Sequence, residues 1–248
     1  MFGILDKLIM VGGTIYRKVE GIIDIPAAPD YYFNYNLLGK RDNLNFALLP
    51  VSTYTFSLTR RAFIDDKTAL TFVLPRLPIL PEPKVMSNFI REHSKRLLDE
   101  IYSREYKNLE IRGHSVSSII ALWLASQDSR MERRIKKLVL LSSPSDCSID
   151  SWNCPSTQDI YCEARRRGYC LEDYRRELAD FDFENYGSGL KDCEIEIHHG
   201  TRDKMIPFEM GMRLVDRLKS VGNNPDVVVY PGHDHTSTLV AYALRRSK

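Results

Sequence analysis

The sequence predicts an α/β protein in which a mostly parallel central sheet is covered by helices on both faces. Short apolar runs of strand length recur along the chain, and segments of roughly 20 to 60 residues separate them. Parallel neighbours need a crossover of about a dozen residues or more, so these separations suit parallel pairing. With 248 residues, of which 43% are hydrophobic, the chain can bury one sizeable core. We therefore expect a single domain spanning residues 1–248.

Two strands and a long helix are predicted in the first part of the chain. The apolar runs Phe46–Val51 and Ala69–Leu74 are typical of strands. A proline-rich stretch from Pro75 to Pro83 then predicts a loop without regular structure. A helix is predicted next, because the following residues recur at helical spacing: Met86, Phe89, Ile90, His93, Leu97 and Ile101.

The segment Asn108–Ser118 combines a strand, a sharp turn and a helix. An extended run leads through Gly113 and His114 to Ser115, and the helical pattern that begins after Val116 is apolar on nearly every side. A serine at such a turn projects its hydroxyl from the carboxyl edge of the sheet. Backbone N–H groups at the start of the helix can hold a developing oxyanion there. Nucleophilic catalysis requires this arrangement.

The second half of the chain predicts three further strands and a terminal helix. Leu138–Leu141 and 194–199 read as strands, and Val227–Tyr230 reads as a buried strand. The terminal helix is expected over Leu239–Leu244. Between residues 145 and 190 the sequence is rich in Cys, Tyr and Arg and shows no clear strand.

An acid and a base follow two of these strands. Asp203 comes after the strand at 194–199, and His235 comes after Val227–Tyr230. Because the carboxyl ends of parallel strands face one crevice, Ser115, Asp203 and His235 could converge there. Thr236 and the two residues after it look like the N-cap of the terminal helix.

The order Ser, Asp, His, with its local sequences, resembles the α/β-hydrolase superfamily over roughly residues 40 to 248. That superfamily has Gly-x-Ser-x-Gly at the nucleophile, Gly-x-x-Asp-x-x-Ile/Val-Pro at the acid and often Tyr-Pro-Gly-x-x-His at the base. This chain has Gly113-x-Ser115-x-Ser117, Gly200-x-x-Asp203-x-x-Ile206-Pro207 and Tyr230-Pro231-Gly232-x-x-His235. Ser117 is the departure, because it replaces a glycine.

The resemblance implies an α/β-hydrolase fold with a cap, residues 146–190, inserted after the sixth core strand. It implies that Ser115 is the nucleophile, His235 the base and Asp203 the acid that orients the base. His233 is the alternative base. Asp146 is the alternative acid, because it also follows a strand.

The same resemblance implies an oxyanion hole. The backbone N–H of Val116 would be one donor, and Ser52 or Thr53, in the loop after the first predicted strand, would supply the second.

His114 is expected to be a packing residue, and His198 and His199 are expected to end a strand without a chemical role.

The net charge and the hydropathy of the chain argue against some classes of binding partner. The net charge of +2, from 35 basic and 33 acidic residues, gives no electrostatic footprint for nucleic acid. No apolar run reaches the roughly 18 to 20 residues of a membrane span, and no export signal is recognisable, so we expect a cytoplasmic protein. Residues 2–11 could form an amphipathic surface helix that contacts membranes, although Gly12 and Gly13 favour a hairpin.

Five cysteines lie in the second half of the chain. Those from Cys147 to Cys170 are separated by six, seven and seven residues, whereas zinc sites favour closer pairs. Disulfides across the insertion are the preferred hypothesis, and free thiols are the alternative.

The predicted function is therefore that of a serine hydrolase that cleaves a carboxylic ester or thioester through an acyl-enzyme, without metal or organic cofactor. An acyltransferase or a peptidase would use the same three residues. A non-catalytic binding module, with a basic and tyrosine-rich cap surface, is the alternative from another class. A lipase-like protein that uses residues 2–11 to reach lipid is a further alternative. The sequence leaves the substrate and the oligomeric state open.

Overall fold

The computed structural model describes residues 31–33, 45–49, 68–73, 79–103, 107–129 and 133–246. Residues 2–11, Ser52 and Thr53, for which the sequence made predictions, lie outside these ranges. The described residues form one seven-stranded sheet in the order β1-β3-β2-β4-β5-β6-β7. Its strands are β1 (Tyr31–Phe33), β2 (Asn45–Leu49), β3 (Thr68–Val73), β4 (Leu109–His114), β5 (Ile135–Leu141), β6 (Glu194–Gly200) and β7 (Asp226–Tyr230).

The sheet is mostly parallel. Only the pairing of β1 with β3 is antiparallel among the described strands, and every other neighbouring pair runs in the same direction. Helices connect and flank these strands, which confirms the predicted fold class. They are α1 (Pro83–Ser103), α2 (Ser117–Ser129), α3 (Ser148–Asn153), α4 (Gln158–Arg166), α5 (Leu171–Leu178), α6 (Phe183–Tyr186), α7 (Phe208–Ser220) and α8 (His235–Arg246).

Helices α1 and α2 pack as their sequence patterns predict. The face of α1 that contains Met86, Ile90 and Leu97 is buried. Helix α2 is buried on nearly all sides and contacts β4 and β5. Pro83 is the first residue of α1 and not part of the preceding loop. Proline fits that position because the first N–H groups of a helix have no intrahelical acceptor.

Strand β7 is less buried than predicted. Val227 and Val229 are 38% and 41% exposed, so the expectation of a buried strand was wrong. The reason is its place in the sheet, since β7 is the last strand of the order and pairs only with β6 among the described strands.

Helix α8 begins earlier than predicted, and a different residue caps it. The Asp234 side chain accepts hydrogen bonds from the backbone N–H groups of Thr236 and Ser237, at 3.1 and 2.9 Å. The expected cap at Thr236 was therefore wrong. Aspartate is a strong N-cap residue because its carboxylate satisfies free N–H groups of the first turn. His235 thus becomes the first residue of the helix.

The segment between β5 and β6 is helical, as the lack of a strand pattern suggested. Its tyrosines point inward: Tyr161, Tyr174 and Tyr186 are fully buried. Tyr161 and Tyr174 pack edge to face at 4.9 Å, and both contact Trp152. The tyrosine-rich surface that the binding-module hypothesis invoked is therefore not formed by these three side chains.

All five cysteines are free thiols, so the disulfide hypothesis was wrong. Cys147 and Cys154 are buried, whereas Cys162 and Cys170 are exposed. Within the described ranges, no cluster of three or more His, Cys, Asp or Glu side chains could hold a metal ion. In the same ranges, no helix is both long and apolar enough to cross a membrane.

Asp182 joins two parts of the helical segment. Its carboxylate accepts hydrogen bonds from the backbone N–H of Ser148, at 2.9 Å, and from the Ser148 hydroxyl. Burial raises the pKa of Asp182 to about 6. Because the folded pKa lies above the ordinary value, the folded state binds the proton more tightly, and stability is lost as the pH rises through about 6.

We expect Asp182→Asn to flatten this pH dependence. Between about pH 4.5 and 7.5 the free energy of unfolding of the parent should fall by about 2 kcal/mol more than that of the variant. Urea unfolding at several pH values measures the difference. Parallel curves for the two proteins would contradict the assignment.

Candidate active site

Ser115 lies at a strained turn between β4 and α2. Its φ is +59°, a left-handed conformation that costs energy for any residue with a side chain. The Ser115 N–H donates to the Leu141 carbonyl at the end of β5, at 2.9 Å. The half-buried serine is thereby held at the carboxyl edge of the sheet, where the sequence predicted a nucleophile.

Two residues allow this turn to form. At Gly113, a Cβ atom would lie 2.9 Å from the Ser118 Cα, so glycine is required. At the second position, where the superfamily has glycine, the Ser117 hydroxyl is used instead. It donates to the His114 carbonyl at 2.8 Å and accepts from the His114 N–H at 3.0 Å. Ser117 therefore ties the turn together.

We expect Ser117→Ala to lower the free energy of unfolding by about 1 to 3 kcal/mol, because it removes a buried acceptor and a buried donor. Chemical denaturation measures this loss. Ser118→Ala is the matched control, since the adjacent Ser118 hydroxyl is buried without a hydrogen-bond partner among the described residues. Its stability should be unchanged or higher. Equal losses in the two variants would show that the Ser117 hydrogen bonds do not stabilise the turn.

Asp203 is the carboxylate that the structure brings to His235. Its Oδ2 accepts a hydrogen bond from His235 Nδ1 at 2.8 Å. Its Oδ1 accepts from the backbone N–H groups of Met205 and Ile206, both at 2.9 Å. Burial alone would raise the pKa of Asp203, but the charge and hydrogen bond of His235, together with the hydrogen bond from the Ile206 N–H, lower it to about 2. Asp203 is therefore ionised at neutral pH.

His114 adjoins both Ser115 and the pair formed by Asp203 and His235. It directly precedes Ser115 in the chain, and its ring lies 4.5 Å from the ring of His235, between centroids. It is buried, and neither ring nitrogen has a hydrogen bond of ordinary geometry within the described residues. Burial, and then the charge of His235, lower the pKa of His114 well below its usual value. His114 is a neutral packing residue against His235, in line with the sequence-based expectation.

His199 has a structural role that the sequence did not reveal. Its Nε2 donates to the Ile206 carbonyl at 2.9 Å and lies 3.8 Å from Asp203 Oδ2. The ring thus holds the loop that carries the acid. It fits because residue 211 is glycine: a Cβ there would lie 2.2 Å from His199 Nδ1. The alternation of side chains along β6 was the sequence signal for different environments, because it places His199 and His198 on opposite faces of the sheet.

The alternative acid, Asp146, and the alternative base, His233, lie in environments that differ from that of the Asp203–His235 pair. Asp146 pairs with Arg217 at 2.5 Å and accepts from the Phe183 N–H at 2.9 Å. His233 is buried, with its ring against Tyr230 at 5.7 Å. The structure therefore groups His235 with Asp203 and separates Asp146 from it. Val116, the predicted oxyanion donor, is buried beside Ser115.

A cavity of about 100 Å³ opens beside the serine. Ser115 and Val116 form one wall, and the loop after Asp203 contributes Met205 and Ile206. A further part of the lining comes from the helical segment between β5 and β6, through Asp146, Cys147, Asp150, Ser151, Cys154 and Thr157.

Comparisons with known proteins agree with the overall fold. Residues 146–246 match the model of the prolyl oligopeptidase family, Peptidase_S9, over less than half of the chain. No curated protein matches. Carboxyl esterase 2 of Tuber melanosporum is similar with a TM-score of 0.57 and 14% identity, over 96% of each chain.

Two further structures show the same likeness. A thermostable esterase from Pseudomonas putida gives a TM-score of 0.56 at 13% identity, over 94% of this chain and 85% of that one. A puromycin-hydrolyzing peptidase of Mycobacterium tuberculosis gives 0.54 at 12% identity over 82% of this chain, which spans only 32% of the peptidase. At these identities the similarity shows the fold.

Proposed function

This chain has the α/β-hydrolase fold, and we propose that it is a serine hydrolase that cleaves a carboxylic ester or thioester through an acyl-enzyme. One observation carries the proposal: His235 Nδ1 donates to the ionised Asp203 at 2.8 Å, and the His235 ring contacts the residue that precedes Ser115. A purely structural role would not require a buried acid–histidine pair beside a residue that adjoins a strained serine.

The proposed chemistry assigns one task to each group. A serine hydroxyl is a weak nucleophile, so His235 Nε2 removes its proton while Ser115 Oγ attacks the carbonyl carbon. Asp203 orients the imidazole and stabilises its charged form. The imidazolium then protonates the leaving group, and water releases the acyl group from Ser115 by the same steps.

The oxyanion of the tetrahedral intermediate needs two donors. We assign the Val116 N–H as the first, and Ser52 or Thr53 as the source of the second. Removal of one such donor costs roughly 10² to 10³ in rate.

We further propose that residues 146–190 form a cap beside the nucleophile. The contribution of this segment to the cavity wall supports the assignment. A cap of this kind excludes water while the acyl-enzyme forms.

A peptidase is the second candidate, because the matching family model is that of the prolyl oligopeptidases. A peptidase would use the same triad and acyl-enzyme but would expel an amine. Matched ester and anilide substrates that carry one acyl group separate the two: an ester hydrolase cleaves the ester with little or no turnover of the anilide.

The test of the proposal is covalent labelling with a fluorophosphonate probe, followed by peptide mass spectrometry. We expect labelling at Ser115 that is lost in Ser115→Ala and strongly slowed in His235→Ala. His233→Ala is the matched control and should label at close to the parent rate. If folded protein shows no labelling, the non-catalytic binding module becomes the better hypothesis. If His233→Ala abolishes labelling while His235→Ala retains it, the assignment of the base is reversed.

A further inference from the structure

The walls of the cavity beside Ser115 define what it can accept. Val116, Ile119 and Ile206 contribute aliphatic surface, and Ile79 contributes more from the loop before α1. Most of the exposed lining is apolar. A polar substrate group would therefore depend on the few hydroxyl and carboxylate side chains in the wall.

Apart from Ser115, the hydroxyl side chains of the wall already have partners within the protein. The Thr157 hydroxyl donates to the carbonyls of Ser151 and Cys154. The Ser156 hydroxyl donates to the Met205 carbonyl at 3.1 Å. The Ser151 hydroxyl donates to the carbonyls of Cys147 and Ser148 and accepts from Tyr161. A polar group that entered the cavity would lose water without gaining these partners.

The wall carboxylates are also neutralised. Asp146 is paired with Arg217, and Asp150 is paired with Arg213 at 2.9 Å. Asp150 Oδ2 accepts three further hydrogen bonds, from the Ser145 N–H, the Ser145 hydroxyl and the Asp146 N–H. Neither acid is left to bind a cationic substrate group.

The volume limits the size of the occupant. A cavity of about 150 Å³ lined by aliphatic and aromatic side chains holds benzene, and the cavity beside Ser115 measures about 100 Å³. A group smaller than a benzene ring fits it, which corresponds to about two to four aliphatic carbon atoms.

We propose that this cavity is the acyl pocket and that the enzyme selects esters or thioesters of short, uncharged aliphatic acids. The inference rests on the proposed function. The acyl group, and not the alcohol, is assigned to the cavity because it stays bonded to Ser115 after the leaving group departs, and a pocket in contact with Ser115 suits the group that stays.

The test is a series of p-nitrophenyl esters with a constant leaving group. We expect kcat/KM to rise about 10-fold from acetate to butyrate, because two more methylene groups are buried, and to fall for hexanoate and octanoate. A succinyl half-ester, which is anionic, and a β-alanyl ester, which is cationic, should react at least about 100-fold more slowly than butyrate.

Two neighbouring isoleucines of α2 provide matched variants. Both are 2% exposed, but Ile119 lines the cavity and Ile120 is not among its lining residues. Ile119→Ala should move the optimum towards hexanoate, whereas Ile120→Ala should lose comparable stability and keep the butyrate optimum. Ile79→Ala, in a loop, enlarges the same cavity if the α2 variant fails to fold.

The outcomes separate the two proposals. Fluorophosphonate labelling at Ser115 together with rates that increase steadily to octanoate, or with a preference for a charged acyl group, would overturn the acyl-pocket assignment and leave the serine hydrolase intact. Identical chain-length profiles for the Ile119→Ala and Ile120→Ala variants would also overturn it. The absence of labelling would remove both proposals.

Discussion

Replacement of Asp203 by asparagine is expected to lower kcat about 10⁴-fold, the order of magnitude known for a triad acid. The amide cannot stabilise the imidazolium of His235, and it favours the wrong tautomer of the neutral ring. Because the pKa of Asp203 is lowered to about 2, this acid is ionised throughout the pH range in which esters are assayed. Protonation of Asp203 therefore does not contribute to the pH dependence of the parent above about pH 4. Hydrolysis of a short p-nitrophenyl ester, with circular dichroism to verify folding, measures it.

The control for this experiment is Asp146→Asn. Asp146 is paired with Arg217 and not with His235, so its substitution should affect stability far more than kcat. If Asp146→Asn abolished turnover while Asp203→Asn retained it, Asp146 would be the catalytic acid, and the arrangement around His235 would need another explanation.

Replacement of Arg217 by methionine is expected to destabilise the protein by about 3 to 5 kcal/mol, because it leaves a buried carboxylate without its countercharge. Asp146 is 1% exposed, and solvent cannot compensate for the lost cation. Chemical denaturation measures the effect. The double variant Arg217→Met with Asp146→Asn should recover much of the loss, since no unpaired charge remains.

A surface pair provides the comparison for Arg217. Arg133 and Asp192 are 3.0 Å apart, and both side chains are 59% exposed. Arg133→Met should cost less than about 1 kcal/mol, because solvent screens exposed ion pairs. Equal losses in the Arg217→Met and Arg133→Met variants would contradict the burial argument.

Six of the seven described strands could be predicted from the sequence, because apolar runs and their separations are local signals, whereas the three-residue strand β1 was not predicted. Strand β7 shows the limit of such signals. Its run of valines looked like a buried strand, but burial depends on the position of a strand in the sheet, and β7 lies at the end of the order. The cysteines show the same limit, because their even spacing says nothing about which of them approach one another in space.

The candidate site could be predicted as a set of residues but not as a set of contacts. Asp203 and Asp146 each follow a strand, and only the fold shows that one meets His235 while the other meets Arg217, 71 residues away along the chain. Nor could the role of His199 be read from the sequence. Its partner is a backbone carbonyl, and no residue type at position 206 signals that contact.

The contacts of helix α7 limit which residues around the cavity could be changed to alter its specificity. Gly211 gives His199 the space from which it holds the acid loop. Two and six residues further along the helix, Arg213 and Arg217 pair with Asp150 and Asp146, the two carboxylates in the cavity wall. Helix α7 therefore contacts both the loop that carries the proposed catalytic acid and the wall of the proposed acyl pocket. Mutagenesis aimed at new substrates should leave α7 untouched and vary Ile79 and Ile119, which line the cavity but take no part in these α7 contacts.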